Sequence, residues 1–467
     1  MKDRRIPWAL IMGVLILFSV CALLSPSAAA DTTDTRRQRL TYLLQYVFDF
    51  VEKNYVEEVD PEVLAEGAFK GIFESLGDPH SAYLTASDLR GLLDTTSGEF
   101  GGVGLYINKQ ISPKDADGRD LPAFVEVVAP IEGTPAFRAG IQAGDLIIRV
   151  EGESTENLAL DEVVEKLRGR AGTTVTITIR RGPTTSFDVS LSRANIQVPT
   201  VRWAMMPNGI AYLRIIQFTH FTPERVAEAV AYFQEQNYTR MIIDLRSNPG
   251  GLLDAVVAVA NMFFDDGIIV STRSRLAREN RVYSARPGLL VPDSIPLAVL
   301  IDNGSASASE IFAGAIKDRN RGTLFGTKSY GKGSVQQVHE LPFAQGGFRL
   351  TMSRYYTPGG VTIDKVGIEP HRTVSEPEFT EEETASLSRL IESRSIPRFV
   401  QDNPEPSERV IANGVAMLAA EFPGLSERLL RRLIRNEINR HMTTPPVYDL
   451  EYDTVLREAV AYLEARS

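Results

Sequence analysis

The sequence predicts a multidomain α/β protein, with helical segments at both ends and a module of short strands inserted ahead of the main α/β core. Three observations carry that expectation. The chain has 467 residues, more than one hydrophobic core usually organises at roughly 150 residues per domain. From about 99 to 191 the apolar residues fall in short β-branched runs bounded by turn residues, whereas from about 192 to 375 apolar strands alternate with helical spacings. Outside these stretches the apolar period is helical.

Composition narrows the function classes. Apolar residues make up 43% and charged residues 24% of the chain, enough to bury sizeable cores. The net charge is −10 and the basic residues are scattered, so there is no electrostatic footprint for a nucleic-acid partner. Cys21 is the only cysteine and lies in an N-terminal apolar run, which leaves the rest of the chain without disulfides or a thiol nucleophile. His80, His220, His339, His371 and His441 show no ligand spacing, so neither a metal nor a cofactor is expected.

The elements follow in order. Residues 1–30 carry Lys2, Arg4 and Arg5, then an apolar run from about Ile6 to Leu24, then small residues ending at Ala30. That order reads as a secretory signal, cleaved or retained as an anchor, and places the bulk of the chain in the periplasm or on the outer face of the cytoplasmic membrane. Residues 31–97 are helical: Leu40, Leu43, Leu44, Val47, Phe48 and Val51 recur at helical spacing, and Asp60 before Pro61 starts a second helix. This pair is expected to pack on a neighbour. Residues 98–191 hold the strands Phe124–Val128, Asp145–Val150 and Val175–Arg180, with an amphipathic helix over Ala159–Arg168. Residues 192–375 alternate, with apolar strands at Ile210–Ile215, Met241–Leu245 and Pro296–Ile301. Residues 376–467 are charged and helical, with stripes such as Val410, Val415, Leu418, then Leu429, Leu433, Ile438, then Leu456, Val460, Leu463. Those stripes are expected to join copies of the chain into a homo-oligomer, or else to pack on their own core.

The chemistry concentrates between 240 and 340. The strand Ala298–Ile301 runs into Asp302-Asn-Gly-Ser-Ala-Ser-Ala-Ser-Glu310, and a helix follows. A serine at such a junction stands at the C-terminal edge of a sheet with helix N–H groups nearby, the logic of a nucleophile elbow. Ser307 is equally the first residue of an S-x-x-E capping box with Glu310, and both readings stand at this point. A serine nucleophile needs a base. No histidine sits in a convincing place, and Lys332, between glycines and near Tyr330 and Val335, is the better candidate once burial disfavours its charge.

Gly102-Val103-Gly104-Leu105 and the string Thr134–Gly152, containing A-G-I-x-x-G-D-x-I, resemble PDZ domains. The resemblance implies that Gly102, Val103, Gly104 and Leu105 offer backbone N–H groups to a terminal carboxylate, while the peptide adds as a strand. The stretch Ser305–Glu310, together with Tyr330–Gln336, Asp244–Leu252, Tyr355–Ile363, Gly367–Pro370 and Leu76–Tyr83, resembles the carboxyl-terminal processing, or tail-specific, serine peptidases over roughly 40–375. That resemblance implies a crotonase-like protease core with Ser307 as nucleophile, Lys332 as base and Gln336 orienting the lysine. It assigns the oxyanion hole to Ala308 with Gly250 or Gly251, support to Asp318, and a PDZ gate to Arg168. Implied substrates are exported proteins with flexible apolar C-termini, and the resemblance leaves room for an activating adaptor. Tyr330 stands where the family usually has phenylalanine, and His371 where aspartate is common. The rival readings are a non-catalytic PDZ scaffold and an esterase or amidase acting on small substrates.

Overall fold

A computed structural model describes residues 33–109, 123–131, 133–182, 185–342, 346–375, 379–442 and 445–466. The N-terminal signal and Cys21 lie outside the described residues. No described helix is long and apolar enough to cross a membrane.

The chain divides into a compact unit up to Tyr83 and a second from Leu84 onward. The first holds helices Thr33–Asn54 and Pro61–Glu74. The second of these begins where the sequence places it: the Asp60 side chain accepts the Glu62 N–H, and Pro61 takes a position whose missing N–H costs nothing. Leu40, Leu43, Leu44 and Val47 of this stripe are exposed, and Phe48 and Val51 are half-buried.

The second unit begins with helix Ala86–Ser97 and then the strand-rich module. Strands Glu99–Gly102 and Ala194–Gln197 pair antiparallel and bring the two ends of that module together. Between them, Leu105–Lys109, Val125–Pro130, Leu146–Val150, Thr174–Arg181 and Thr185–Ser192 line up in that order in one antiparallel sheet. Among the described residues, Leu105–Lys109 is therefore an edge strand. Helix Leu160–Leu167 presses Val163 and Leu167 into a core with Val125, Val127, Ile147, Val175, Ile177 and Ile179.

The α/β core is a six-stranded sheet in the order Val201–Met206, Ile210–Ile215, Arg240–Asp244, Leu297–Ile301, Thr323–Gly326, Arg372–Thr373. The first pair is antiparallel and the remaining four pairings are parallel. All five residues of Leu297–Ile301 are buried, as a strand covered on both faces requires. Ala211, Leu213, Met241, Ile243, Val299 and Ile301 face helices Thr222–Glu235, Leu253–Ala260 and Ala308–Asp318. Tyr212, Ile242, Ala298, Leu300 and Phe325 face the other way, onto Val455, Leu456, Ala459 and Leu463 of helix Thr454–Glu464. A smaller antiparallel sheet holds Ile268–Ser274, Arg281–Ser284, Ser334–Glu340 and Gly346–Tyr356.

The C-terminal stripes pack within the chain. Val415 and Leu418 pack with Leu430 and Ile434 in a separate helical cluster, with Leu429, Leu433 and Ile438 against it. Leu456 and Leu463, with Val460 beside them, cover the main sheet. This is the second of the two arrangements the spacing allows, packing on the chain's own core.

Candidate active site

Four loops meet at the C-terminal edge of the parallel strands, where open α/β sheets place their ligands. They follow Ile210–Ile215, Arg240–Asp244, Leu297–Ile301 and Thr323–Gly326. Backbone and side-chain bonds stitch them. Buried Asn248 donates through Nδ2 to the Ile215 carbonyl at 2.8 Å, and its own carbonyl accepts the Ala306 N–H and the Ser309 hydroxyl, both at 3.0 Å. The Ser305 hydroxyl donates to the Leu245 carbonyl at 2.8 Å, and the Tyr330 N–H to the Ser305 carbonyl at 3.0 Å. Asn248 sits inside the D-L-R-S-N-P-G-G string, yet the sequence alone gave it no task.

Ser307 caps helix Ala308–Asp318 with φ 53° and ψ −111°. An L-residue holds such a conformation only where its surroundings enforce it, at about 1–3 kcal/mol. Its hydroxyl makes no hydrogen bond among the described residues. The capping reading is thus half right: the Glu310 carboxylate takes the Ser307 N–H at 2.8 Å, while the serine Oγ is left over.

Glu310 is the centre of the arrangement. Fully buried, it accepts four hydrogen bonds. Oε2 takes the N–H groups of Ser307 and Lys332, both at 2.8 Å. Oε1 takes the Ser329 hydroxyl at 2.6 Å and the Gly331 N–H at 2.7 Å. Burial pushes this carboxyl up from its ordinary value while the four donors pull it down. One carboxylate oxygen therefore ties the candidate nucleophile's backbone to the candidate base's backbone.

Lys332 is half-buried between Gly331 and Gly333. Burial pushes its amine below the ordinary lysine range, the Arg349 charge adds to that, and Glu310 opposes it. Its Nζ makes no hydrogen bond or ion pair among the described residues, and none joins it to the Ser307 hydroxyl. Lys328 instead pairs with Glu369 at 2.9 Å, and Lys317 donates to the Glu369 carbonyl at 2.7 Å. Gln336 is not on Lys332: its Nε2 donates to the Ser334 hydroxyl at 2.8 Å and the Thr351 hydroxyl at 3.2 Å.

The anion-binding corner forms where Gly250 meets the serine turn. A Cβ on Gly250 would stand 2.8 Å from Ser307 Cβ and 2.9 Å from the Ala308 nitrogen, so only glycine allows this approach. The Gly250 N–H already serves Asn248 Oδ1 at 2.9 Å. Those of Gly251 and Ala308 have no acceptor among the described residues. Of the two glycines, Gly251 is the one with a donor to spare.

Asp318 does not reach the site. It ends the eleven-residue helix that Ser307 caps, about 16 Å away along the axis, and there accepts the Gly359 N–H at 2.8 Å. Two of the histidines are occupied elsewhere: His371 Nδ1 accepts the Leu324 N–H at 3.0 Å, and His339 stacks on Phe348. Asp244 is buried under Tyr212 and Arg246. Burial pushes its carboxyl up, but the Arg246 hydrogen bonds and charge outweigh this and hold it below the usual range. Arg246 continues to Asp453 through bonds of 2.8 and 2.6 Å, fixing the start of the Gly250–Gly251 loop.

In the strand-rich module, Val103 and Gly104 form the tight turn before the edge strand. Gly104 has φ 83°, and a Cβ there would fall 2.3 Å from Thr134 Cβ. The Val103 carbonyl accepts the Ala136 N–H at 2.9 Å. Arg168 pairs with Asp94 of helix Ala86–Ser97 at 2.6 Å and lies over the Phe100 ring.

A serine in a nucleophile-elbow conformation, a half-buried lysine on the adjoining loop and N–H groups without acceptors among the described residues are the parts that a serine hydrolase site requires. Residues 209–374 match peptidase family S41, residues 126–181 match the PDZ domain, and residues 23–87 match the N-terminal domain of the activating protease CtpB. A carboxy-terminal-processing protease of Bartonella bacilliformis is 38% identical over 375 residues, covering 79% of this chain and 82% of that one. A probable CtpA-like serine protease of Staphylococcus epidermidis is 31% identical over 373 residues, covering 79% and 73%. Among solved structures, the photosystem II D1 C-terminal processing protease shares 31% identity, covers 71% of this chain and 86% of its own, and gives a TM-score of 0.43. The chain belongs to the carboxy-terminal-processing proteases of peptidase family S41 and carries a PDZ domain.

Proposed function

We propose that the chain is an exported serine endopeptidase that cuts proteins near or from their C-terminal tails, with Ser307 as nucleophile and Lys332 as general base. The carrying observation is the Glu310 carboxylate, which accepts the N–H groups of both residues on one oxygen. The free amine of Lys332 takes the Ser307 proton as Oγ attacks the scissile carbonyl. The N–H groups of Ala308 and Gly251 receive the developing oxyanion. The protonated lysine then gives its proton to the leaving amine, and water releases the acyl group from Ser307. In the resting chain no hydrogen bond joins Ser307 to Lys332, and substrate binding tightens that contact. Gln336 would have to leave Ser334 or Thr351 to orient the amine. The core is crotonase-like in this reading.

Substrate choice rests on the PDZ domain. Among the described residues Leu105–Lys109 is a sheet edge without a further strand, where a peptide strand can add, and the Gly102–Leu105 turn can take its carboxylate. The Arg168 to Asp94 ion pair ties this domain to helix Ala86–Ser97, where it can hold a resting position that a bound tail releases. The basic and apolar N-terminus directs export. A homo-oligomer through the C-terminal helices and an activating adaptor remain part of this reading.

The test uses purified protein and an unstructured substrate with an apolar C-terminus. Ser307→Ala and Lys332→Ala should each abolish cleavage while circular dichroism stays unchanged, and chelators should do nothing. Activity should rise with pH along one limb below ~10.4, because the free amine is the working form and burial depresses it. A limb near ~6.5 that a histidine substitution removes would assign the base elsewhere. A peptide with a free apolar C-terminus should raise turnover of a small reporter, and Arg168→Ala should weaken that response; equal turnover with and without peptide leaves the PDZ domain a docking site only.

A further inference from the structure

The anion-binding corner is shared between two loops: Gly251 belongs to the turn after Arg240–Asp244, and Ala308 to the turn after Leu297–Ile301. Its shape depends on how closely, and at what angle, those turns meet. Gly250 sets the closeness, since a Cβ there would stand 2.7 Å from the Ala306 carbonyl oxygen and 2.8 Å from Ser307 Cβ. A second close approach lies earlier in both turns, where a Cβ on Gly304 would fall 2.8 Å from Ser247 Cα. Each loop also carries a serine with positive φ, 58° at Ser247 and 53° at Ser307. Residues other than glycine avoid that region unless something holds them there.

The same device holds both. Glu310 takes the Ser307 N–H at 2.8 Å. Asp302, from the opposite end of the serine turn, takes the Ser247 N–H at 2.8 Å through Oδ1, and the Gly304 N–H at 2.9 Å through the same oxygen. Its Oδ2 accepts the Ser247 hydroxyl at 3.2 Å. The Asp302 N–H donates to the Ser305 hydroxyl at 3.0 Å, which in turn donates to the Leu245 carbonyl. One carboxylate thus joins the serine turn to the residue that opens the Asn248–Gly251 stretch. Asn248 anchors that stretch to Ile215 and Ala306, so Ser247 decides the direction from which it arrives. Asp302 is only half-buried. Water can replace it as a partner of the Ser247 N–H, but water cannot hold a backbone at φ 58°.

We infer that Asp302 is a positioning residue for catalysis: by holding Ser247 and Gly304 on one carboxylate oxygen, it aims the Gly251 N–H at the oxygen that gains charge when Ser307 attacks. This rests on Ser307 as nucleophile and on Gly251 and Ala308 as the oxyanion donors. Without the carboxylate, Ser247 relaxes toward negative φ and turns the residues that follow it. Ser307 and Lys332 meanwhile keep their own tie through Glu310. The loss therefore falls on the transition state, where the oxyanion exists, and not on substrate binding. A donor displaced rather than removed should lower kcat roughly ten- to a hundredfold.

The experiment compares two inhibitors on the full-length protein. Both carry the residues that precede the bond cut in the unstructured substrate; one ends in an aldehyde and the other in the matching alcohol. Ser307 Oγ adds to the aldehyde carbon, its proton passes to the Lys332 amine, and the former carbonyl oxygen takes the charge in the corner. The alcohol binds without forming that oxygen. Asp302→Ala should lower kcat with KM unmoved and weaken the aldehyde by the same factor, leaving the alcohol as it was. Asp302→Asn keeps Oδ1 for both N–H groups and should recover most of each loss. An unchanged aldehyde-to-alcohol ratio in Asp302→Ala overturns the inference, whatever happens to its melting temperature, and so does an Asp302→Asn variant as poor as Asp302→Ala. Should Asp302→Ala misfold, Asp302→Glu, which carries the carboxylate one methylene farther, should show a lower ratio than Asp302→Asn; the reverse order overturns the inference. Cleavage that survives in Ser307→Ala, or a parent that binds the aldehyde no better than the alcohol, would refute the nucleophile and oxyanion assignment on which the inference stands.

Discussion

Replacing Glu310 by alanine should separate the nucleophile from its base without touching either. The carboxylate accepts three backbone N–H groups, those of Ser307, Gly331 and Lys332, and the Ser329 hydroxyl. A buried donor left without an acceptor costs about 1–3 kcal/mol. Three such donors give an upper range of roughly 3–9 kcal/mol, but removing the carboxylate also relieves a buried charge and opens room for water. We therefore expect a loss near the bottom of that range, about 3 kcal/mol. Glutamine should cost less. With its carbonyl turned toward Ser307 and Lys332 it keeps both of those bonds, the Ser329 hydroxyl can rotate to accept, and only the Gly331 N–H is orphaned, at about 1–2 kcal/mol. Catalysis should follow the same order. A reacting group displaced by an ångström loses on the order of a hundredfold, so kcat should drop at least that far in Glu310→Ala and much less in Glu310→Gln. Urea unfolding gives the first quantity and steady-state cleavage of an unstructured substrate gives the second. An alanine variant with the stability and kcat of the parent would refute the claim that this carboxylate joins the two loops.

Two other outcomes are expected. Gly250→Ala would place a Cβ 2.7 Å from the Ala306 carbonyl and 2.8 Å from Ser307 Cβ at φ 103°, so kcat should collapse, whereas Gly424→Ala, with φ 98° but only a flexible Glu382 side chain nearby, should cost stability alone; equal kcat in the two would place the oxyanion site elsewhere. Truncation after Ser393 should yield aggregated chain rather than a folded monomer, because it bares Tyr212, Ile242, Ala298, Leu300 and Phe325; a soluble, active fragment in light scattering would show that the last helix is dispensable.

The sequence made some of this visible and concealed the rest for definite reasons. The five-residue apolar run Leu297–Ile301 announced a strand buried on both faces, and the small residues after it announced the turn that holds Ser307. Glu310 was legible only as a capping partner, since a local motif reveals contacts three residues away. Its other bonds reach nineteen to twenty-two residues ahead and exist only once strand Thr323–Gly326 has delivered the next loop. Asp318 was misread because its spacing from Ser307 is measured along a helix, and a helix of that length separates its ends. Asp302 showed only as the head of the serine string, because its partner Ser247 lies 55 positions earlier in the chain. The C-terminal stripes were correctly helical, but periodicity does not say which surface a stripe will cover.

The bond from Arg246 to Asp453 spans 207 positions. A ribosome works from one end, so the loop that bears Gly250 and Gly251 is complete in sequence long before its anchor exists. Throughout that interval the chain already carries the serine and the lysine, yet the sheet beneath them lacks its outer cover and Arg246 lacks its second carboxylate. The Gly250–Gly251 loop therefore gains this anchor only once Asp453 is in place.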